Sequence, residues 1–161
     1  MPKINTPESR HIGPAALPRG HQYLSYGDAK FLATLSAAVK IIDLRIRGHA
    51  PCNRAFRTLP GGKTFAEIWL DEAVWLNFDP SMAIDDYGAT RGKEVTITAF
   101  ALKKGQWVVA ATLIHELAHV NGAAGDNRDA ESMLRSCLLK DLEDPRIIGN
   151  LLGPSNGRVL T

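Results

Sequence analysis

Apolar residues recur three or four positions apart in the first third of the chain, which is the spacing of one helix face. They are Phe31, Leu32, Leu35, Val39, Ile42 and Ile46. Ser25 followed by Asp28 resembles a capping box, so we expect a long helix that begins near Ser25 and ends at Gly48. Residues 1–24 carry several Pro and Gly before this helix, and they predict an extended N-terminal arm.

The period changes to that of strands in the middle of the chain. Residues 65–78 contain two runs rich in aromatic and β-branched residues on either side of Asp71 and Glu72, which predicts a hairpin. Residues 95–100 alternate in polarity and predict a further strand. Two segments rich in turn residues are expected to form loops: residues 50–63 and 81–93.

A second long helix is predicted where residues 107–114 contain neither proline nor charge. Gln106 lies near its start, and Gly122 suits the position just beyond its end, where a positive φ is needed. Because its flanks are so apolar, this helix is expected to be buried.

A third helix is predicted to begin at Asp126, which is a good N-cap, with Asp129 three residues later in the place of a capping-box acid. Helical spacing then continues along an apolar face that consists of Ala130, Met133, Leu134, Cys137, Leu138 and Leu142.

This order of elements predicts an α+β fold. A chain of 161 residues has room for one good core, so we expect a single domain over residues 1–161. The formal net charge of +2 is too small to indicate nucleic acid or an anionic membrane as a partner. The sequence has neither an apolar run of membrane-spanning length nor the apolar core of a signal peptide, so we expect a protein made in the cytoplasm.

The residues that could carry out chemistry lie at the end of the second predicted helix, where the sequence is His115-Glu116-Leu117-Ala118-His119. Residues four apart share one helix face, so both imidazoles can point at the same place. Two neutral histidines supply half of a tetrahedral zinc site, and Glu116 is placed to accept a proton from water on the metal.

This HExxH pentapeptide in an apolar helix resembles the active-site helix of the zincin metallopeptidases. The resemblance implies a small, twisted, mainly antiparallel sheet packed on the HExxH helix, with supporting helices. It implies a zinc-dependent hydrolase of peptide or peptidoglycan amide bonds, in which His115 and His119 bind Zn²⁺ and Glu116 is the general base. It also implies that one strand pairs with an extended peptide substrate.

A catalytic zinc needs a third protein ligand. The metzincin pattern would place a histidine six residues after His119, where this chain has Gly125. The remaining nearby donors are Asp126, Asp129 and Glu131. Asp126 is explained by capping, and Asp129 falls farther from the apolar face.

We expect Glu131 to be the third ligand, because it lies at the edge of the apolar face, where a carboxylate needs a partner. Asp126 is the main alternative, and an ordinary ion pair between Glu131 and Arg135 is the alternative without function. A glutamate on a following helix resembles the gluzincins, although the connection here is shorter than in thermolysin-like enzymes.

The segment 115–122, followed by Ala130-Glu131, also resembles effector or polymorphic-toxin metallopeptidases such as the cargo of type VI secretion. That resemblance implies export to a target cell's periplasm without a signal peptide, and an immunity protein or a secretion-apparatus component as partner. Two alternatives stay open: a cytoplasmic regulatory peptidase, and a protein-binding domain with a structural or decayed zinc site.

Two further features leave alternatives open. Cys52 and Cys137 are either two reduced thiols or, in an oxidising compartment, a disulfide. A developing oxyanion needs a side chain that stabilises it in addition to the metal. Five residues are candidates for this role, and each has an ordinary structural role as the alternative: Tyr23, Tyr26, His49, Tyr87 and Arg91.

Overall fold

The fold, seen in a computed structural model that describes residues 1–126 and 128–137, is α+β, as predicted. The described strands are β1 (Lys3–Ile4), β2 (Trp75–Asp79), β3 (Gly88–Arg91) and β4 (Glu94–Thr98). The described helices are α1 (Ala29–Ile41), α2 (Ala50–Arg57), α3 (Phe65–Trp69), α4 (Ala99–Lys104), α5 (Gln106–Val120) and α6 (Arg128–Cys137). A 3-10 turn, Pro7–Ser9, follows β1, and a π-helical turn, Ile42–Ile46, continues α1.

The sheet is mixed, with the strand order β1-β2-β4-β3. β2 is parallel to both β1 and β4, and β3 is antiparallel to β4. The expectation of a mainly antiparallel sheet is therefore wrong, since two of these three strand pairs are parallel. The physical reason is that the N-terminal arm supplies a strand: the Lys3 amide donates to the Val74 carbonyl and the Asn5 amide to the Leu76 carbonyl.

The hairpin predicted over residues 65–78 is also wrong, because its first half is helix α3. Thr64 caps this helix: its hydroxyl accepts the Glu67 amide at 3.1 Å, while the Glu67 carboxylate accepts the Thr64 amide at 2.7 Å. This reciprocal capping box outweighs the strand preference of the aromatic residues that follow.

The hairpin of the sheet lies instead between β3 and β4, inside the segment 81–93 that was predicted to be a loop. Gly92, with φ +63°, opens the two-residue turn between them, a position where a positive φ matches the twist of hairpin strands. Residues 50–57 were likewise predicted to be a loop and form α2, with a proline in its first turn.

The long N-terminal helix is confirmed, but it begins later than predicted. Asp28, not Ser25, caps α1: its carboxylate accepts the Lys30 and Phe31 amides at 2.8 and 3.2 Å. The predicted helix over residues 106–120 is confirmed as α5, and Gly122 beyond its end has the expected positive φ of +90°.

Helix α5 lies at the centre of the core. Eleven of its 15 residues are buried, so it is covered on every face and not on one stripe. It packs against α1, α4, α6 and the sheet. Its C-terminal end is held by Asn121, whose side-chain amide donates to the carbonyls of Phe56 and Lys63 at 2.9 and 2.8 Å.

Helix α6 buries Ala130, Met133, Leu134 and Cys137, which confirms that part of the predicted apolar face. Leu138, Leu142 and the tail from Pro145 lie outside the described residues. Cys137 forms a disulfide with Cys52, which ties α6 to α2.

Residues 3–5 of the arm predicted over residues 1–24 pair with β2 in the sheet, and His11 and Gln22 lie on the face of the sheet that is turned away from α5. The His11 ring stacks on Trp75 with ring centroids 3.8 Å apart, and the Asn5 side chain donates to that of Asn77 at 2.7 Å. None of the helices in the described ranges has the length and apolar character needed to cross a membrane.

Removing the disulfide should destabilise the fold, because this crosslink joins residues 85 positions apart and restricts the unfolded chain. We expect the double variant Cys52→Ala/Cys137→Ala to lose about 3 kcal/mol of unfolding free energy in urea titrations. Reductant should lower the wild-type midpoint and leave the double variant unchanged. Two free thiols in oxidised, denatured wild-type protein would contradict the pairing.

Candidate metal centre

Helix α5 brings His115 and His119 together, as their spacing predicts. Their Nε2 atoms are 3.3 Å apart and their ring centroids 5.0 Å apart. Two nitrogens that each bind one tetrahedral zinc ion at about 2.0–2.1 Å lie about 3.3 Å from each other. The separation of this donor pair therefore fits a shared zinc ion.

The hydrogen bond made by the other ring nitrogen sets the tautomer of His119. Its Nδ1 lies 3.0 Å from the Ala123 carbonyl oxygen, which can only accept, so Nδ1 carries the proton. In the neutral ring the lone pair is then on Nε2, the nitrogen that faces His115. Gly122 makes this contact possible, because its positive φ turns the chain back beneath the helix end.

Access to the histidine pair is from the side of His119. His115 is fully buried, whereas His119 is partly exposed. A ligand would therefore approach the pair from the C-terminal end of α5.

Glu116 is buried beside the histidines, with 1% of its surface exposed. The Thr90 hydroxyl lies 2.7 Å from Glu116 Oε2 and 3.1 Å from the Glu116 backbone carbonyl oxygen. Within the described part of the chain, Oε1 has no hydrogen-bond partner. The Thr90 hydroxyl thus holds Oε2 in place, while Oε1 has no described hydrogen-bond partner and is available to accept a proton.

Burial raises the pKa of Glu116 to about 7, although the Thr90 hydrogen bond and the positive charge of protonated His119 oppose this shift. A carboxyl group that titrates near neutrality can both accept and release a proton at ordinary pH. That property suits a general base, and it follows from the burial of α5.

Strand β3 packs directly on the Glu116 side of α5. A Cβ added to Gly88 would lie 2.7 Å from the Thr96 carbonyl oxygen, 3.1 Å from Thr112 Cγ2 and 3.5 Å from Glu116 Cγ. Only glycine allows this close approach. Gly88 and Thr90 share a strand face, so both are directed at the helix.

Strand β3 forms one edge of the sheet beside this site. β3 is the last strand in the sheet order, and the Thr98 amide donates to the Tyr87 carbonyl. Because bonded and non-bonded pairs alternate in antiparallel strands, the backbone groups of Gly88 and Thr90 point away from β4. No backbone hydrogen bond between described residues reaches them.

Among the residues that the structure describes, no third metal ligand is grouped with the histidine pair. Glu131 is partly buried on α6, while Asp126 and Asp129 are exposed, and Asp126 accepts the Arg128 amide at 3.2 Å. Across residues 1–126 and 128–137, no three or more His, Cys, Asp or Glu side chains are grouped so that they could hold a metal. The assignment of Glu131 stays a prediction.

A second polar cluster lies at the N-terminal arm. His21 Nδ1 is 2.8 Å from the Asp79 carboxylate, and His21 Nε2 is 3.5 Å from Asp86. The hydrogen bond to Asp79 raises the pKa of His21 against the effect of burial, and the negative charges of Asp86 and Glu116 add to it. The three side chains line a cavity of about 430 Å³.

The candidate oxyanion residues have structural contacts of their own. The Tyr26 hydroxyl donates to the Asn77 carbonyl at 3.0 Å, and Arg91 donates to the Ala15 carbonyl at 3.3 Å. The Tyr87 ring packs edge-on against Phe100. Burial and the negative charge of Glu116 raise the pKa of Tyr23.

Sequence reasoning missed Thr90, because the segment around it was predicted to be a loop. A signal was present: Gly92 and Lys93 separate two short stretches of strand-like alternation, which is a hairpin pattern. Nothing in the sequence shows that His21 meets Asp79, which lies 58 positions away.

No protein-family model matches this chain, no curated protein matches it in sequence, and no solved structure matches its fold. The chemistry of the site is therefore inferred from its residues and their geometry.

The contact between His21 and Asp79 should make stability depend on pH. Because folding raises the pKa of His21, its contribution is complete below the unfolded value of about 6.5 and is lost as pH rises through the folded value. We expect His21→Gln to lower the unfolding free energy more at pH 6 than at pH 9, measured by urea titration. An equal loss at both pH values would show that the pair carries no charge.

Proposed function

We propose that this protein is a zinc-dependent hydrolase that cleaves peptide or peptidoglycan amide bonds, with Glu116 as general base. The observation that carries the proposal is the arrangement on α5. Two Nε2 atoms lie 3.3 Å apart beside a buried carboxyl group that has one held and one available oxygen. A structural zinc site has no need of such a base.

His115 and His119 would hold the zinc ion, and their separation fits this role. Glu131 on α6 is the third ligand we propose, with Asp126 and Asp129 as alternatives. When bound, zinc would supply a Lewis acid that activates water and polarises a carbonyl group.

Glu116 would accept a proton from the attacking water at Oε1 and pass it to the leaving amine. In the metal-free protein, burial raises the pKa of Glu116 to about 7. His119 would keep its Nε2 lone pair directed at the site through the Nδ1 contact with Ala123.

The outer edge of β3 supports an extended peptide as substrate. Thr90, which is partly exposed, has backbone groups that point away from β4, and it lies on the same strand that touches Glu116. A peptide that adds to this edge as a further strand would lie next to the strand that contacts Glu116.

The disulfide supports a site of action in an oxidising compartment, where such crosslinks persist. This agrees with an effector that reaches a target cell's periplasm, with an immunity protein or a secretion component as its partner.

Glu116→Gln should retain zinc and lose hydrolysis, because the amide cannot accept the proton. We expect the turnover of a peptide library, read by mass spectrometry, to fall by about 10²–10⁴-fold, with zinc content unchanged by elemental analysis. Glu72→Gln, at an exposed glutamate, is the matched control and should keep full activity. His119→Ala should lose zinc.

Full activity of Glu116→Gln would show that Glu116 is not the base. A wild-type protein that binds one zinc ion tightly yet cleaves neither peptides nor peptidoglycan fragments would favour the structural zinc site.

The third ligand can be identified from zinc affinity. We expect Glu131→Gln to weaken zinc binding by more than about tenfold in chelator competition, since loss of a direct ligand should exceed the loss of a supporting contact. Asp126→Asn and Asp129→Asn should leave the affinity near the wild-type value. If one of those two weakens binding and Glu131→Gln does not, the ligand is that aspartate.

A further inference from the structure

We propose that Thr90 is a positioning residue for Glu116, through which the edge strand β3 holds the general base in one orientation. This inference rests on the proposed function, and it assigns a role to a residue outside the HExxH motif. Thr90 lies 26 positions from Glu116 in the sequence and meets it through the packing of β3 on α5.

The hydroxyl of Thr90 contacts two acceptors of the same residue. It lies 2.7 Å from Glu116 Oε2 and 3.1 Å from the Glu116 carbonyl oxygen, so the side chain is held against its own backbone. The two contacts define the rotation of the carboxylate and direct Oε1 away from Thr90. Because threonine is β-branched, its hydroxyl has few rotamers in which to leave this position.

The residues around Thr90 allow and favour its contact with Glu116. Gly88, two residues earlier on the same strand face, lets β3 approach to the point where a Cβ would be 3.5 Å from Glu116 Cγ. Glu116 is buried, so water cannot replace the hydroxyl without cost. The strand therefore supplies the polar partner that a buried carboxylate needs.

Thr90 also belongs to the edge on which a peptide substrate would add. Its side chain faces Glu116, while its backbone N–H and C=O point outward, away from β4. One residue would thus contact the substrate backbone and the general base at once. A substitution that removes only the hydroxyl should impair the chemical step and leave substrate binding intact.

The test compares Thr90→Val, which keeps the side-chain shape without the donor, with Thr90→Ser, which keeps the donor. A hydrogen bond to a charged group contributes about 1.5–3 kcal/mol, so we expect kcat of Thr90→Val to fall about 10–150-fold. KM should stay within about twofold, because the backbone edge is unchanged. Thr90→Ser should restore kcat to within about threefold of wild type.

Thr96→Val is the matched control. Thr96 is also a strand threonine, more deeply buried than Thr90, and its hydroxyl donates to the Gln22 carbonyl at 2.7 Å on the opposite face of the sheet. Its kcat and KM should equal those of wild type. A loss in Thr96→Val as large as in Thr90→Val would overturn the proposal, since any buried threonine would then have the same effect.

A second measurement does not require activity. In metal-free protein labelled with ¹³C at the glutamate carboxyl carbons, the Glu116 resonance should move or broaden in Thr90→Val and stay in place in Thr90→Ser and Thr96→Val. An unchanged resonance together with an unchanged kcat in Thr90→Val would overturn the proposal. If wild type cleaves nothing, the proposed function fails, and the resonance alone still decides whether Thr90 orients Glu116.

Discussion

Burial of helix α5 on all its faces is the constraint on which the rest of the structure depends. The helix is wrapped by α1, α4, α6 and the sheet, and its apolar residues form the centre of the core. Glu116 is buried in this core because the apolar residues on either side of it in α5 are buried. A buried carboxyl group is costly unless it is hydrogen-bonded or neutral, and this protein meets the cost with one hydroxyl from β3 and a raised pKa.

The C-terminal end of α5 is as strongly determined as its centre. The side-chain amide of Asn121 donates hydrogen bonds to the Phe56 and Lys63 carbonyls. The Asn121 backbone carbonyl accepts a hydrogen bond from the Gly61 amide. The Gly122 turn that follows brings the Ala123 carbonyl oxygen within hydrogen-bond distance of His119 Nδ1. These contacts fix the ring that lies nearest to solvent, so the donor pair keeps its geometry at the open side of the site.

Strand β3 joins the core to the surface. Gly88 and Thr90 face α5 with their side-chain positions, and their backbone groups point away from β4, because alternation in a strand separates these two directions. The arm covers the polar face of the sheet, and the buried Cys52–Cys137 bond holds α6 against α2. The strand that would receive a peptide is thereby the same strand that orients the proposed base.

Features that depend on local spacing follow from the order of the amino acids alone. Four-residue spacing put His115 and His119 on one face, the apolar flanks predicted a buried helix, and the glycine at 122 predicted its end. The α+β class and the buried residues of α6 up to Cys137 follow from the same kind of pattern.

The tertiary structure alone decided which distant segments meet. The arm pairs in parallel with β2, and Thr90 reaches Glu116 across 26 positions. Periodicity reports which face of an element is apolar, but it contains no information about which polar group will lie opposite a buried carboxylate. That choice is made by the packing of the whole core, where a buried charge is tolerated only beside a partner.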